Sequence, residues 1–259
     1  PIISTYGIEG LIEVCEMGIK DNLKKEYFEI FKKAIESEDI SLIGSSAVAL
    51  RNPALNFTEY IPNPTFLFQV RDRLKMPKDV EIYLEIQKTI DFVTNSKSKP
   101  HPIALQYLPV DWQMVTTLSY NQRASVKTSK GDFIIEFMVE DAPGTVSNFL
   151  KLNGKNFYNG KKFHRVVPNF VVQGGDPRGD GWGSSDNLIR SEFNMNRFEE
   201  GYIGMASAGK DTESCQLFIM HSLAPHLDGK YTNFAKVVNG MSVVHQLEVG
   251  DYIKSIEQL

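Results

Sequence analysis

The hydrophobic period of this chain changes near residue 120, from steps of three and four before it to alternation after it. An apolar stripe at helical steps makes one face of a helix, and strict alternation makes a half-buried strand, so the two patterns demand different elements. The chain must therefore build an α part and then a β part. Before the change, Leu23, Tyr27, Ile30, Phe31 and Ile35 recur at helical steps with Lys and Glu between them. Asp39 stands where it can cap a second helix bearing Leu42, Ile43, Ala47 and Leu50, stopped at Asn52-Pro53. Two more helices are expected at about 64–75, with Phe66, Leu67, Val70 and Leu74, and about 78–94, with Val80, Tyr83, Leu84, Ile90 and Val93 around an interrupting Gln87. Short helices joined by tight turns predict stacked antiparallel hairpins, an α-solenoid piece, with an ordinary small helical bundle as the alternative.

Residues 96–119 carry Ser96, Ser98, Pro100, Pro102 and Pro109 and read as a linker. The expected division is a helical domain at 1–95, a linker at 96–119 and a β-rich domain at 120–259. In the last of these, residues 122–128 and 132–139 flank Ser129-Lys130-Gly131, the pattern of a β-hairpin. A helix at 142–153 with Pro143 in its first turn follows. Short strands and Gly-rich loops fill 161–239, and a helix near 241–248 precedes a closing strand at 253–258. An antiparallel barrel or sandwich with two helices fits this order.

Composition limits the function classes. The chain has 259 residues, 42% hydrophobic and 23% charged, enough for a sizeable buried core in each domain. A net charge of −4 gives no electrostatic support to a nucleic-acid or acidic-membrane role. No apolar run reaches the roughly 18–20 residues of a membrane-spanning helix. Cys15 and Cys215 fall in different expected domains and form no Cys-x-x-Cys pair, so neither a disulfide framework nor a thiolate metal site is expected. The sequence starts at Pro1 rather than Met, which leads us to expect a fragment whose natural N-terminus lies upstream and leaves its compartment open.

One run stands out for chemistry. Residues 163–177 read Phe-His-Arg-Val-Val-Pro-Asn-Phe-Val-Val-Gln-Gly-Gly-Asp-Pro. A bend near Pro168 and Asn169 would fold two short strands together and bring Arg165, Phe170 and Gln173 around one small apolar ligand. Other motifs fail on inspection. Ala206-Ser207-Ala208-Gly209 lacks the first Gly of a serine elbow, since Met205 stands there. His221 and His226 have zinc-like spacing without companion ligands. Gly174 to Gly181 has neither the Walker Lys nor the spacing of a calcium loop and reads as a surface loop.

Several ordered stretches carry a family resemblance. They are Ala142-Pro143 with Asn148-Phe149, Phe163 to Pro177, Gly204-Met205-Ala206, Ser214 to Ile219, Leu227-Asp228-Gly229-Lys230, and Phe234 with Lys236-Val237-Val238. Residues 120–259 resemble a cyclophilin, a peptidyl-prolyl cis-trans isomerase, over the whole domain. The resemblance implies an eight-stranded antiparallel barrel with a helix at each end and an outer groove for proline-containing peptides or unfolded proteins. It assigns Arg165 as the catalytic arginine, Phe170 and Phe218 as walls of the proline pocket, and Leu227 as its rim. Gln173 matches the glutamine that hydrogen-bonds the peptide, Ala206 and Ser207 the backbone shelf, and Gln216 a second polar groove residue. No metal or cofactor is implied. The segment Asp39 to Leu50 resembles the second helix of a HEAT-type repeat, so a multi-domain α + β chain is expected, with helices that bind a client or protein partner or orient the isomerase.

Four positions depart from the common cyclophilin pattern. Val171 stands for the usual Met, His226 for a Trp that strongly favours cyclosporin binding, Tyr231 for a frequent His, and Ser207 for a frequent Asn. The His226 departure puts high cyclosporin affinity in question. These departures leave open a second reading, a peptide-binding or scaffold module with weak catalysis. Whether the helices regulate access to the groove is likewise left open. Short loops suggest a bacterial member, with cytoplasm and periplasm both possible.

Overall fold

The computed structural model describes residues 2–96 and 106–259. The chain divides into two compact units, Pro1–Leu105 and Gln106–Leu259. In the first, α1 (Ile2–Glu16), α2 (Lys24–Glu36), α3 (Ile40–Leu50), α4 (Thr65–Asp72) and α5 (Val80–Thr94) bury their apolar faces on one another. The periodic pattern predicts no helix before Leu23, where α1 stands. Gly7 and Gly10 weaken the helical signal of α1, which is held by packing on α3 and by the Thr5 hydroxyl donating to Ser41 Oγ at 2.7 Å. Asp39 caps α3 as expected, accepting from Ser41 N at 3.0 Å.

Two helical faces are rotated from their expected positions. On α2 the buried stripe is Phe28, Phe31, Ala34 and Ile35, whereas Ile30 is exposed. On α5 it is Val80, Ile82, Ile86 and Ile90 together with Glu85 and Thr89. These two polar residues are buried because they have partners. Arg51 binds the Glu85 carboxylate, and Thr89 donates to the Ala47 carbonyl at 2.8 Å.

Part of the expected linker at 96–119 belongs to the second unit. Residues 97–105 lie outside the described residues, and residues 106–119 pack on the β unit. Leu108 N donates to Leu188 O at 2.9 Å, and the Arg190 guanidinium lies over the Tyr107 ring at 4.7 Å. A one-turn helix, α6 (Trp112–Val115), is capped by Asp111, which also meets Lys151 Nζ at 2.8 Å. Met114, Val115 and Leu118 then cover the β core. The Ser and Pro density suggested a linker, but these apolar side chains decide the placement.

The β unit is one curled antiparallel sheet of eight strands: β1 (Arg123–Thr128), β2 (Gly131–Phe137), β3 (Phe163–Val167), β4 (Val171–Gly174), β5 (Tyr202–Met205), β6 (Leu217–Met220), β7 (Asn233–Asn239) and β8 (Ile253–Gln258). The order is β3-β4-β6-β5-β7-β2-β1-β8. Its two ends approach each other where Phe163 N donates to Asp251 O and Ile253 N to Lys161 O. Inward residues such as Phe133, Ile135 and Phe137 alternate with outward ones along β2 and fill the inside with Phe149, Phe163, Ile219 and Phe234. α7 (Pro143–Gly154) starts at Pro143 and covers one end, while α8 (Met241–Val244) is shorter than expected, a single turn.

Candidate functional site

The run from Phe163 folds as β3, a turn and β4. Asn169 takes a left-handed φ of 59°, and Phe170 N donates to Val167 O at 3.0 Å, which closes the turn. This register sets Arg165 directly opposite Gln173. Gln173 is opposite Phe218 on β6, and Phe218 is opposite Gly204 on β5. Directly paired residues share a sheet face. Arg165, Gln173 and Phe218 therefore form one row across the outer surface, and Gly204 ends it without a side chain.

An apolar cluster separate from the barrel core lies along this row. Val171, Phe198, Phe218, Met220 and Ala224 are buried in it, and Phe170, Ala206, Leu227 and Tyr231 are packed against it half-exposed. The Phe218 ring is 5.4 Å from Phe198 and meets Tyr231 edge-on at 5.7 Å. His226 is exposed and stacks on Phe170 at 5.6 Å and 25°. Arg165 is exposed, so its five donors face solvent beside an apolar wall.

Gln216 sits differently from an open groove residue. Its side chain is 7% exposed, with Nε2 donating to Gly181 O at 2.9 Å and Gly183 O at 2.7 Å. Its Oε1 accepts from Gln173 Nε2 at 3.0 Å. Gln173 is thus oriented with its own oxygen turned away from that bond. Ala206 N donates to Gln216 O at 2.9 Å, which places the Ala206-Ser207 backbone along the same edge. Of the residues singled out from sequence, Arg165, Gln173 and Phe218 share the row, and His226 stacks on Phe170 beside it. Phe170, Val171, Ala206, Leu227 and Tyr231 belong to the apolar cluster, and Gln216 lies behind Gln173.

Phe198 was not foreseen. It comes from a polar stretch, Asn196-Arg197-Phe198-Glu199-Glu200, whose lone aromatic carries no periodic signal. The Gly-rich loop is organised by Asp176, which accepts from Arg178 N at 2.8 Å and Asp180 N at 2.9 Å, so its carboxylate serves the turn. Cys215 is buried, and burial pushes its thiol up to about 12, which leaves it without nucleophilic character at neutral pH. Of the two histidines with zinc-like spacing, His226 stacks on Phe170. His221 lies 5.0 Å from His245, and burial lowers its pKa.

Residues 123–257 match the sequence profile of the family described as cyclophilin type peptidyl-prolyl cis-trans isomerase. The chain belongs to the cyclophilin family. It is 44% identical over 137 residues to a peptidyl-prolyl cis-trans isomerase of Helicobacter pylori, covering 51% of this chain and 84% of that one. It is 46% identical over 123 residues to peptidyl-prolyl cis-trans isomerase B of Bacillus subtilis, covering 47% and 86%. A crystal structure of a Cryptosporidium parvum cyclophilin type isomerase superposes with a TM-score of 0.51 at 28% identity, covering 53% of this chain and 97% of that one. The cyclophilin expectation for the β unit thus holds in fold and family, and its activity is prolyl cis-trans isomerisation. No helix among the described residues is long and apolar enough to cross a membrane.

Proposed function

We propose that an X-Pro peptide lies along the outer row, with Arg165 as the catalytic donor and the proline ring against Phe170, Phe218, Val171 and Leu227. The observation that supports this most is the single cross-strand row of Arg165, Gln173 and Phe218 beside an apolar cluster. Amide resonance gives the bond a barrier of about 18–20 kcal/mol, and no covalent bond need break to cross it. An enzyme has only to favour the twisted amide over both planar forms. As the amide twists, the proline nitrogen regains a lone pair, and the permanently charged Arg165 guanidinium donates to it. Gln173 and the Ala206-Ser207 backbone hold the flanking peptide, Gln216 orients Gln173, and Tyr231 and His226 border the ring.

Arg165→Ala removes the one contact that strengthens on twisting. We expect kcat/KM to fall by about 10²–10³ with little change in peptide affinity, as for loss of one transition-state donor. An NMR exchange measurement on an X-Pro peptide reads this, and undiminished activity would sink the mechanism.

The helical unit is proposed as a client- or partner-binding element built from HEAT-like hairpins. Its support is the set of apolar side chains left exposed there, among them Tyr6, Val14, Ile30, Phe68 and Phe92.

A further inference from the structure

Glu213 is wholly buried at the base of the loop that follows the Ala206-Ser207 shelf, and nothing in the mechanism above uses it. Both of its carboxylate oxygens are within reach of one donor, the Thr232 hydroxyl, at 2.8 and 2.9 Å. The Ser191 hydroxyl donates to it as well. Both hydroxyls already accept a backbone N–H: Thr232 Oγ1 from Glu192 at 2.8 Å and Ser191 Oγ from Asp211 at 2.8 Å. Glu213 O accepts from Ile189 N at 2.9 Å, so the residue is held by backbone and side chain together.

Thr232 is the link to the groove. It follows Tyr231, whose ring stands against Phe218, and its carbonyl accepts from Met205 N at 3.0 Å, one residue before Ala206. One wall of the pocket and the start of the shelf thus meet at Thr232. The charged group facing Glu213 is Glu192, whose carboxylate accepts from Gly144 N at 2.9 Å and Thr145 N at 2.7 Å at the start of α7. Asp211 stands behind Ser191, its carboxylate accepting from Ser191 N at 2.9 Å. Burial raises the Glu213 carboxyl to about 7; the Thr232 and Ser191 hydrogen bonds work against this and the Glu192 charge adds to it.

We propose that Glu213 is a positioning residue for the isomerase: as a carboxylate it commits the Thr232 hydroxyl as a donor and so fixes Tyr231 and the Met205-Ala206 backbone, making catalysis stronger when Glu213 is ionised. This rests on the groove reading given above. An ionised acceptor makes hydrogen bonds about twice as strong as a neutral one. Protonation instead adds a donor that must compete for Thr232 Oγ1 or Ser191 Oγ. Prolyl isomerisation transfers no proton and Arg165 stays charged, so the reaction has no neutral-range titration of its own.

The test is kcat/KM for a short X-Pro peptide by NMR exchange from about pH 5.5 to about pH 8.5, in the full chain and in Glu213→Gln. The amide oxygen of Gln still accepts from Thr232 but does not ionise in this range. We expect the wild type to rise about two- to fivefold, one hydrogen bond's worth, with its midpoint near 7. We expect Glu213→Gln to be flat, whereas an inflection borne by His164 or His221 would survive that change. A flat wild-type profile, or an inflection retained in Glu213→Gln, overturns the proposal. Backbone amide shifts of Tyr231 and Ala206 in the unaltered chain give a second reading, independent of whether the variant folds. They are expected to titrate together near 7, and the proposal fails if they do not move. Failure of the groove reading is distinguishable, because it would appear as retained activity in Arg165→Ala at every pH.

Discussion

Gly204 has no side chain because Phe218 occupies the space. A Cβ there would stand 2.3 Å from Phe218 Cζ and 2.7 Å from Phe198 Cε1, closer than packed atoms approach. Gly204→Ala should therefore push the Phe218 ring off its seat, costing about 1–3 kcal/mol by overpacking and raising KM. A Tm unchanged by this substitution would contradict the geometry. His226 shows the opposite case, an exposed imidazole lying on Phe170 where the usual cyclophilin pattern has Trp. His226→Trp enlarges the apolar rim, and we expect tighter inhibition by cyclosporin, measured as a lower inhibitor concentration at half activity.

Among the elements, the β3–β4 hairpin shows why the site could be read from a sequence run. Its turn and pairing are local, so the spacing of Arg165, Phe170 and Gln173 implies their convergence. α3 is similar, since its start is written in Asp39. Asp39→Ala should cost about 1 kcal/mol of helical-unit stability, visible in a chemical denaturation curve. α5 was less legible. Its buried face includes Glu85 and Thr89, and no periodic rule predicts burial of an acid whose Arg51 partner lies 34 residues away. Residues 106–119 join the β unit for a related reason: Tyr107 meets Leu188 and Arg190, contacts far outside any sequence window.

Across the whole molecule, pH acts on buried groups in opposing directions. Glu213 has a folded pKa raised from 4.5 to about 7, so its folded form holds a proton that the unfolded chain releases between these values. Its stabilising contribution is complete below about 4.5 and is lost as pH rises through about 7. Half-buried His164 and buried His221 have lowered pKa values and act in the other sense, losing stability as pH falls below the usual imidazole range. The difference between wild type and Glu213→Gln isolates the first effect. The variant should gain on the wild type between about pH 5 and about pH 8 by at most about 3 kcal/mol, read from unfolding midpoints at each pH. A constant difference would refute it. Cutting the chain before Gln106 tests the helical unit: we expect short-peptide turnover to be unchanged and turnover on an unfolded protein to fall. Equal turnover on both substrates would remove the client-binding role. A cut at residue 120 would instead strip Met114, Val115 and Leu118 from the β core and destabilise it.

The change from helices to strands, the order of elements after it and the arginine hairpin are set by local pattern, because period, turn residues and short-range pairing act within a few residues. The apolar cluster around Phe218, the backing of Gln173 by Gln216, the place of Phe198 and the burial of Glu213 against Thr232 come from segments distant in sequence. Antiparallel pairing and exclusion of water bring these groups together, and no local pattern encodes them.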